Sequence, residues 1–292
     1  MPGKQNRKVQ SAMEYLMTYG WAFLIIAIVI TALYQLGVFN GLTPKASPGT
    51  CQVYRPNGAN STQLISLTGI CNAEEPQFVA TFPGTSLAYI ANIPDAGFPY
   101  GTNAVSIFAW VKSSQSASSP FIFQYGVSGT AGEDWILGDY NGAASADLWS
   151  GSKSGGTISN GNWNFVGFTF SGGSGASGLV IYVNGVAVYT GGTAITPNVH
   201  VGTGSTVSIG FGSSNYYLGS MANVQIYNTS LSANEIQAMY IEGIGGQPIR
   251  LQNLVGWWPL NANANDYSGD NLNGIPTNVG YTNSWTSGYS TP

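Results

Sequence analysis

Leu179-Val-Ile-Tyr-Val-Asn-Gly-Val-Ala-Val-Tyr189 reads as two short apolar, β-branched runs joined by Asn184-Gly185. Asn and Gly tolerate the two positive-φ positions of a tight type I′ turn, so the stretch predicts a two-residue β-hairpin. Runs of the same kind lie on either side of it. Val105-Ser-Ile-Phe-Ala-Trp-Val111, Trp163-Asn-Phe-Val-Gly-Phe-Thr-Phe170 and Thr206-Val-Ser-Ile-Gly-Phe211 are strand-like and are separated by Gly, Ser and Asn clusters. Repeated short strands with turn signals between them predict a mainly β sandwich beyond residue 76. One helix interrupts the series. Ser232-Ala-Asn-Glu235 is a capping box, Ile236, Met239 and Tyr240 follow at helical spacing, and Gly243 is the stop.

Composition agrees with an exterior β protein. Only 7% of the 292 residues are charged, against roughly 25% in an ordinary soluble domain. Forty glycines and seventeen tyrosines, with many Ser, Thr and Asn, take the place of charge. With 43% apolar and 13% aromatic residues the chain can form a sizeable core, which excludes a disordered chain. The net charge of −4 and the lack of clustered Lys and Arg in the exterior part leave no footprint for nucleic acid. A single histidine, His200, excludes a Cys/His metal cluster and a Ser/His/Asp triad.

Several motifs occur in register across about 78–245: the Phe108-Ala-Trp110-Val111 strand, the Trp163-Asn-Phe-Val strand, the Tyr182-Val-Asn-Gly185 hairpin, and Gly219-Ser-Met-Ala-Asn-Val-Gln-Ile-Tyr227 running into Leu231-Ser-Ala-Asn-Glu-Ile236. In this order they resemble the LamG-like jelly roll of the concanavalin A-like lectin superfamily. One segment departs from the family's order. Gly256-Trp-Trp-Pro-Leu-Asn261, followed by Asp266-Tyr-Ser-Gly-Asp-Asn-Leu-Asn-Gly274, resembles the family's opening strand and turn, yet here it comes last. Because first and last strands of such a fold lie close, a circularly permuted order over 254–292 is expected to close the same sheet, the alternative being strand addition to a neighbouring subunit.

The amino-terminal forty residues are of another kind. From Tyr15 to Pro44 there is no charged residue, and Trp21 to Leu36 is almost wholly apolar, which predicts a membrane-spanning helix of about 20 residues. Lys4, Arg7 and Lys8 precede it, placing the amino terminus in the cytoplasm and the bulk of the chain outside. Arg7-Lys8-Val9-Gln10-Ser11-Ala12-Met13-Glu14-Tyr15 resembles the processing site of archaeal type IV pilin-like precursors with class III signal peptides. That resemblance implies a prepilin peptidase that cuts between Val9 and Gln10, although the family usually has Gly where this chain has Val9. It also implies a mature helix retained in the membrane, with Glu14 as its fifth residue. The new ammonium at Gln10 would then pair with the Glu14 of a neighbouring subunit in a filament, offsetting a cost of about 2–3 kcal/mol for a carboxylate left alone in lipid. The expected organisation is a leader over 1–9, a transmembrane, pilin-like helix over 10–40, an extracellular linker over 41–76 and the jelly roll over 77–292.

Candidate sites follow from that arrangement. Cys51 and Cys71 form an even pair in an extracellular context and are expected to bridge; two buried thiols are the alternative. Asn60-Ser-Thr62 and Asn228-Thr-Ser230 are glycosylation sequons. Trp135, Tyr140, Trp149, Tyr216 and Tyr217 fall at strand ends or loops with amides nearby, the pattern by which proteins stack on sugars, so they are the ligand-binding candidates. Asp134, Asp139 and Asp147, with Glu133, form the densest acidic stretch and are the candidate oxygen donors for Ca²⁺, against the plainer reading of a solvated rim. Asp266-x-Ser-x-Asp270 is calcium-like at a glance, and capping of a turn explains it equally well. The Glu-x-Asp-x-x-Glu strand of related β-sandwich glucanases does not occur, and Glu133 and Asp134 are adjacent and would face opposite ways, so no enzyme is expected. The two resemblances together imply a membrane-anchored, pilin-like surface protein displaying a lectin-like module for adhesion or carbohydrate binding. Its partners would be the membrane, the peptidase, like subunits and surface glycans. The alternatives are an anchored lectin that does not polymerise and a coat module without a ligand.

Overall fold

The structure, a computed structural model, describes residues 17, 19–31, 78–83, 87–113, 120–174, 177–212 and 215–283, together with the backbone of 49–56 and 62–69. The chain divides into two units, Met1–Gly49 with Thr68–Ile70, and Thr50–Leu67 with Cys71–Pro292. In the first unit, residues 19–31 are helical (α1) and expose an apolar surface that includes Trp21, Phe23 and Ile25. The rest of the expected span, with Val9, Gln10 and Glu14, lies outside the described residues. Among the described residues no helix is long and apolar enough to cross a membrane.

In the second unit, apart from Gly49, Thr68 and Gly69, β1 (Gly49–Pro56) and β2 (Thr62–Gly69) pair with each other. The sandwich strands that follow are β3 (Phe78–Pro83), β4 (Tyr89–Ala91), β5 (Val105–Lys112), β6 (Phe121–Gly126), β7 (Asp134–Tyr140), β8 (Ala143–Asp147), β9 (Lys153–Thr157), β10 (Trp163–Phe170), β11 (Ser177–Val183) and β12 (Val186–Gly192). Then come β13 (Thr206–Ile209), the small hairpin β14 (Phe211–Gly212) and β15 (Asn215–Tyr216), β16 (Leu218–Tyr227), helix α2 (Ala233–Glu242), β17 (Leu254–Trp258), β18 (Ile275–Thr277) and β19 (Gly280–Asn283). The first sheet runs β12-β11-β10-β5-β16-β3-β19, with β17 also on β16, and the second runs β18-β4-β13-β6-β7-β8-β9. The protein is therefore a mainly β two-sheet sandwich with short helices.

Alternation along the strands explains the layers. On β10, Val166, Phe168 and Phe170 point between the sheets, and Trp163 and Phe165 point away. On β5, Val105, Ile107, Ala109 and Val111 point inward, and Phe108 and Trp110 outward. The inward rows meet Phe123, Tyr125, Trp135, Leu137, Val207 and Ile209 of the second sheet to form the main core. The outward row of the first sheet forms a second aromatic cluster under α2, where Ile236, Met239 and Tyr240 cover Phe108, Trp110 and Phe165. Each large side chain buried this way contributes about 1.5–3 kcal/mol, which is why α2, only ten residues long, is stable in place. Its start is the predicted capping box, with Ser232 accepting from the Glu235 amide and Glu235 from the Ser232 amide.

The Asn184-Gly185 turn has φ of 52° and 78°, as a type I′ turn requires, and joins β11 to β12. The late-coming segment closes this chain's own sheets. The long strand β16 pairs with β3 along Leu218–Met221 and with β17 along Val224–Tyr227, so the beginning and end of the domain share one seam. β18 completes the second sheet against β4, and β19 lies on β3. Asp266 secures the connection, as the turn-capping reading anticipates. Its carboxylate accepts from the Trp257, Ser268 and Leu272 amides and from the Ser268 hydroxyl.

Candidate functional site

The outward row of the second sheet is polar where that of the first is aromatic. Register sets Ser208 of β13 opposite Gln124 of β6, and Gln124 opposite Ile136 of β7, all on the side away from the core. At the β4–β13–β6 end of this face lies a groove of about 350 Å³. Gln124 and Ser208 form its buried floor; Asn92, Ser128 and Thr206 form its exposed rim. Phe211 closes one end, and Tyr89 and Tyr216 lie against it with ring centroids 5.3 and 4.7 Å away. The β14–β15 hairpin reaches this position because Gly212 has no side chain: a Cβ there would lie 1.8 Å from the Phe121 ring and 2.2 Å from Gln124 Oε1. Hydroxyls and amides around an aromatic end wall suit a neutral, hydroxyl-rich ligand, which needs both donors and acceptors and an apolar surface.

Behind the floor stands Asp134, fully buried. Gln124 Nε2 donates to its Oδ2 at 3.0 Å, which fixes the orientation of the floor amide, and Oδ1 is buried without a partner. Burial pushes this carboxyl up to about 7; the Gln124 hydrogen bond opposes the shift, and the negative charge of Asp147 adds to it. Glu133, its chain neighbour, turns instead toward His200, 3.6 Å from Nδ1.

Of the aromatic candidates, one adjoins the groove and two belong to the core. Tyr216 lies against the Phe211 end wall. Trp135 lies near the start of β7 but is 1% exposed and packed on Phe168 and Phe170 across the sandwich, so it has no ring face to offer a sugar. Tyr217 is wholly buried beside Phe82. Tyr140 is exposed at the end of β7, and Trp149 is half-buried with φ of 68° in the loop between β8 and β9; neither lines the groove.

The acidic candidates do not gather around a cation. Asp139 accepts from the Gly142 amide at 2.7 Å and from the Ser159 hydroxyl, fastening the β7–β8 turn. Asp147 accepts from the Gly151 amide at 3.3 Å. Burial raises both carboxyls above their ordinary range. Among the described residues no three His, Cys, Asp or Glu side chains are placed to hold a metal ion. Asn228 is exposed, its Oδ1 accepting from Asn253. Asn60, Cys71 and the side chain of Cys51 lie outside what the structure describes.

Sequence reasoning missed Asn92, Gln124, Ser208 and Phe211. A signal was present in the alternation itself: Gln124 interrupts Phe123 and Tyr125, and Ser208 interrupts Val207 and Ile209. A polar residue between two core residues marks the outward face of a strand.

A family model described as the concanavalin A-like lectin/glucanases superfamily matches residues 86–237, just over half of the chain. No curated protein matches. Among solved structures, a protein from Bacteroides ovatus provisionally designated carbohydrate-binding is 15% identical, with 76% of this chain and 67% of that chain covered and a TM-score of 0.55. A heptameric pentraxin from Limulus polyphemus is 16% identical, with coverage of 73% and 98% and a TM-score of 0.49. Domain 4 of an extracellular arabinanase from Geobacillus stearothermophilus, solved with arabinotriose, is 20% identical, with coverage of 55% and 86% and a TM-score of 0.38.

Proposed function

The chain belongs to the concanavalin A-like lectin/glucanases superfamily, and on that premise we propose that it is a membrane-anchored, pilin-like surface protein whose sandwich binds glycans without cleaving them. The groove over Gln124 and Ser208 carries the binding half of this reading. Its rim and floor offer amide and hydroxyl groups, its end wall is aromatic, and no charged side chain lines it, so a neutral sugar is the ligand it suits. The carbohydrate-binding designation of the Bacteroides ovatus protein, which shares the fold, supports the same choice. A glycan array probed with the detergent-solubilised full chain tests it. Retention of defined oligosaccharides, weakened in an Asn92→Ala/Thr206→Ala double variant, is the expected outcome.

The anchoring half rests on the amino-terminal residues. The uncharged stretch from Tyr15 to Pro44, the preceding Lys4, Arg7 and Lys8, and the Gln10 and Glu14 pattern support a helix kept in the membrane after a prepilin peptidase has cut after Val9. The sandwich would then be displayed on the outside. Sequencing the amino terminus of protein from native membranes tests this: Gln10 as the first residue is expected. Val9, where the related precursors usually carry Gly, favours a second reading in which the leader is retained and the same lectin stands singly in the membrane. A retained leader, with the amino terminus upstream of Val9, would establish that reading over the first.

A further inference from the structure

On the far side of the sandwich, between the end of α2 and the β17 connection, lies a second cleft of about 280 Å³. Trp257 and Tyr267 form an aromatic corner in it, their rings inclined at 65° with centroids 6.1 Å apart. Pro259, Gln247 and Asn261 continue the wall, and Asn223 forms the floor.

The corner is held rigid from beneath. Asn223 sits at the irregularity in the β16–β5 pairing, in the left-handed region at φ 53°, and its carboxamide is engaged through both its nitrogen and its oxygen. Its Nδ2 donates to the Gly246 carbonyl at 2.9 Å, and its Oδ1 accepts from Trp257 Nε1 at 2.7 Å and from Gln225 Nε2 at 2.8 Å. Tyr227 donates in turn to Gln225 Oε1 at 2.6 Å, so a buried chain of hydrogen bonds fixes the Trp257 ring. Bulges of this kind characteristically re-aim a side chain beside a site. The side-chain polar groups left for a ligand are the Tyr267 hydroxyl proton, the Gln247 side-chain amide and the Asn261 Nδ2. The Tyr267 oxygen already accepts from Asn263, and Asn261 Oδ1 from the Phe78 amide.

We propose that this cleft is a second sugar site, built for a single neutral pyranose ring that stacks on the Trp257–Tyr267 corner and hydrogen-bonds to Gln247 and Asn261. A pyranose presents axial C–H groups on one face and hydroxyls around its edge, which matches an aromatic wall with amides at the rim. The volume lies at the lower limit of small-molecule sites, about 300 Å³, and so suits one ring rather than a long chain. No charged residue lines the cleft, and the Glu242 carboxylate lies beside it, 3.2 Å from where a Gly246 Cβ would stand. A uronate or sulfated sugar would be repelled, so the ligand is neutral.

The inference extends the glycan-binding reading but does not depend on the groove. Saturation-transfer NMR on the full chain in detergent, with the methyl glycosides of glucose, galactose and mannose as probes, tests it. At least one glycoside should receive saturation through its axial protons. Its affinity should fall tenfold or more in Tyr267→Ala, where the lost side chain is half exposed, and severalfold in Gln247→Ala. The Asn92→Ala/Thr206→Ala variant should bind it as the wild type does. No transfer to any of the three glycosides, or equal affinity in Tyr267→Ala and wild type, overturns the second site. Loss only in the groove double variant would overturn it while leaving the groove reading standing.

Discussion

The two sheets present the same kind of row to each other and opposite kinds to the outside. β5 and β10 turn Phe108, Trp110, Trp163 and Phe165 outward, and these are covered by α2 and the segment after it. β6 and β13 turn Gln124 and Ser208 outward, beneath a groove with an exposed polar rim. An aromatic outward row must find a cover, because a contiguous apolar patch of that size would otherwise face water. A polar outward row needs none, and in a fold with few charges it becomes the natural place for a hydroxyl-rich ligand.

The contrast can be broken by mutation, and the largest effect belongs to the covered face. Trp110→Ala should cost about 3–5 kcal/mol in chemical denaturation, because it leaves a cavity under Tyr240 and Phe165. A cost typical of surface sites would mean that the α2 layer is not a core. The next effect belongs to the polar face and depends on pH. The folded pKa of Asp134, about 7, lies above its unfolded value, so the native state holds a proton that the unfolded chain releases. Stability therefore falls as pH rises from about 4 to 7 and stays lowered above it. Asp134→Asn keeps an acceptor for Gln124 and removes the buried charge, and should gain about 4 kcal/mol at pH 8 with little change at pH 4. Equal effects at both pH values would contradict the assignment.

Smaller effects sharpen the picture. Ser232→Ala removes the α2 cap and should cost about 1 kcal/mol, measured by the same unfolding curves. Thr206→Ala, on the exposed groove rim, should change stability by less than about 0.5 kcal/mol while weakening glycan retention. A stability loss as large as that of Ser232→Ala would recast the rim as structural.

Much of this was legible in the residues. The Asn184-Gly185 turn, the Ser232–Glu235 capping box and the aromatic-rich strand pattern of Trp163–Phe170 are local signals, and each stands where it was expected. The late Trp257-Trp258 strand was recognisable out of order only through its resemblance to the family's opening strand and turn, and Asp266 fastens that turn. The site was less legible. Trp135 and Tyr217 sit among Gly, Asp and Asn, which makes them look like loop aromatics; only the pairing of β7 with β6, and the packing across the sandwich, assigns Trp135 to the core. The groove and the cleft both assemble residues far apart in sequence, Asn92 with Thr206 and Asn223 with Tyr267, and no local spacing announces such neighbours.

Glycan binding by the polar face is the central claim, and an array probed in the Tyr267→Ala background, where the second cleft makes no contribution, reaches it most directly. The full chain carrying that change should retain a subset of neutral glycans, and adding Asn92→Ala and Thr206→Ala should weaken their binding tenfold or more. A blank array, or retention that ignores the two rim changes, would contradict the assignment of the groove.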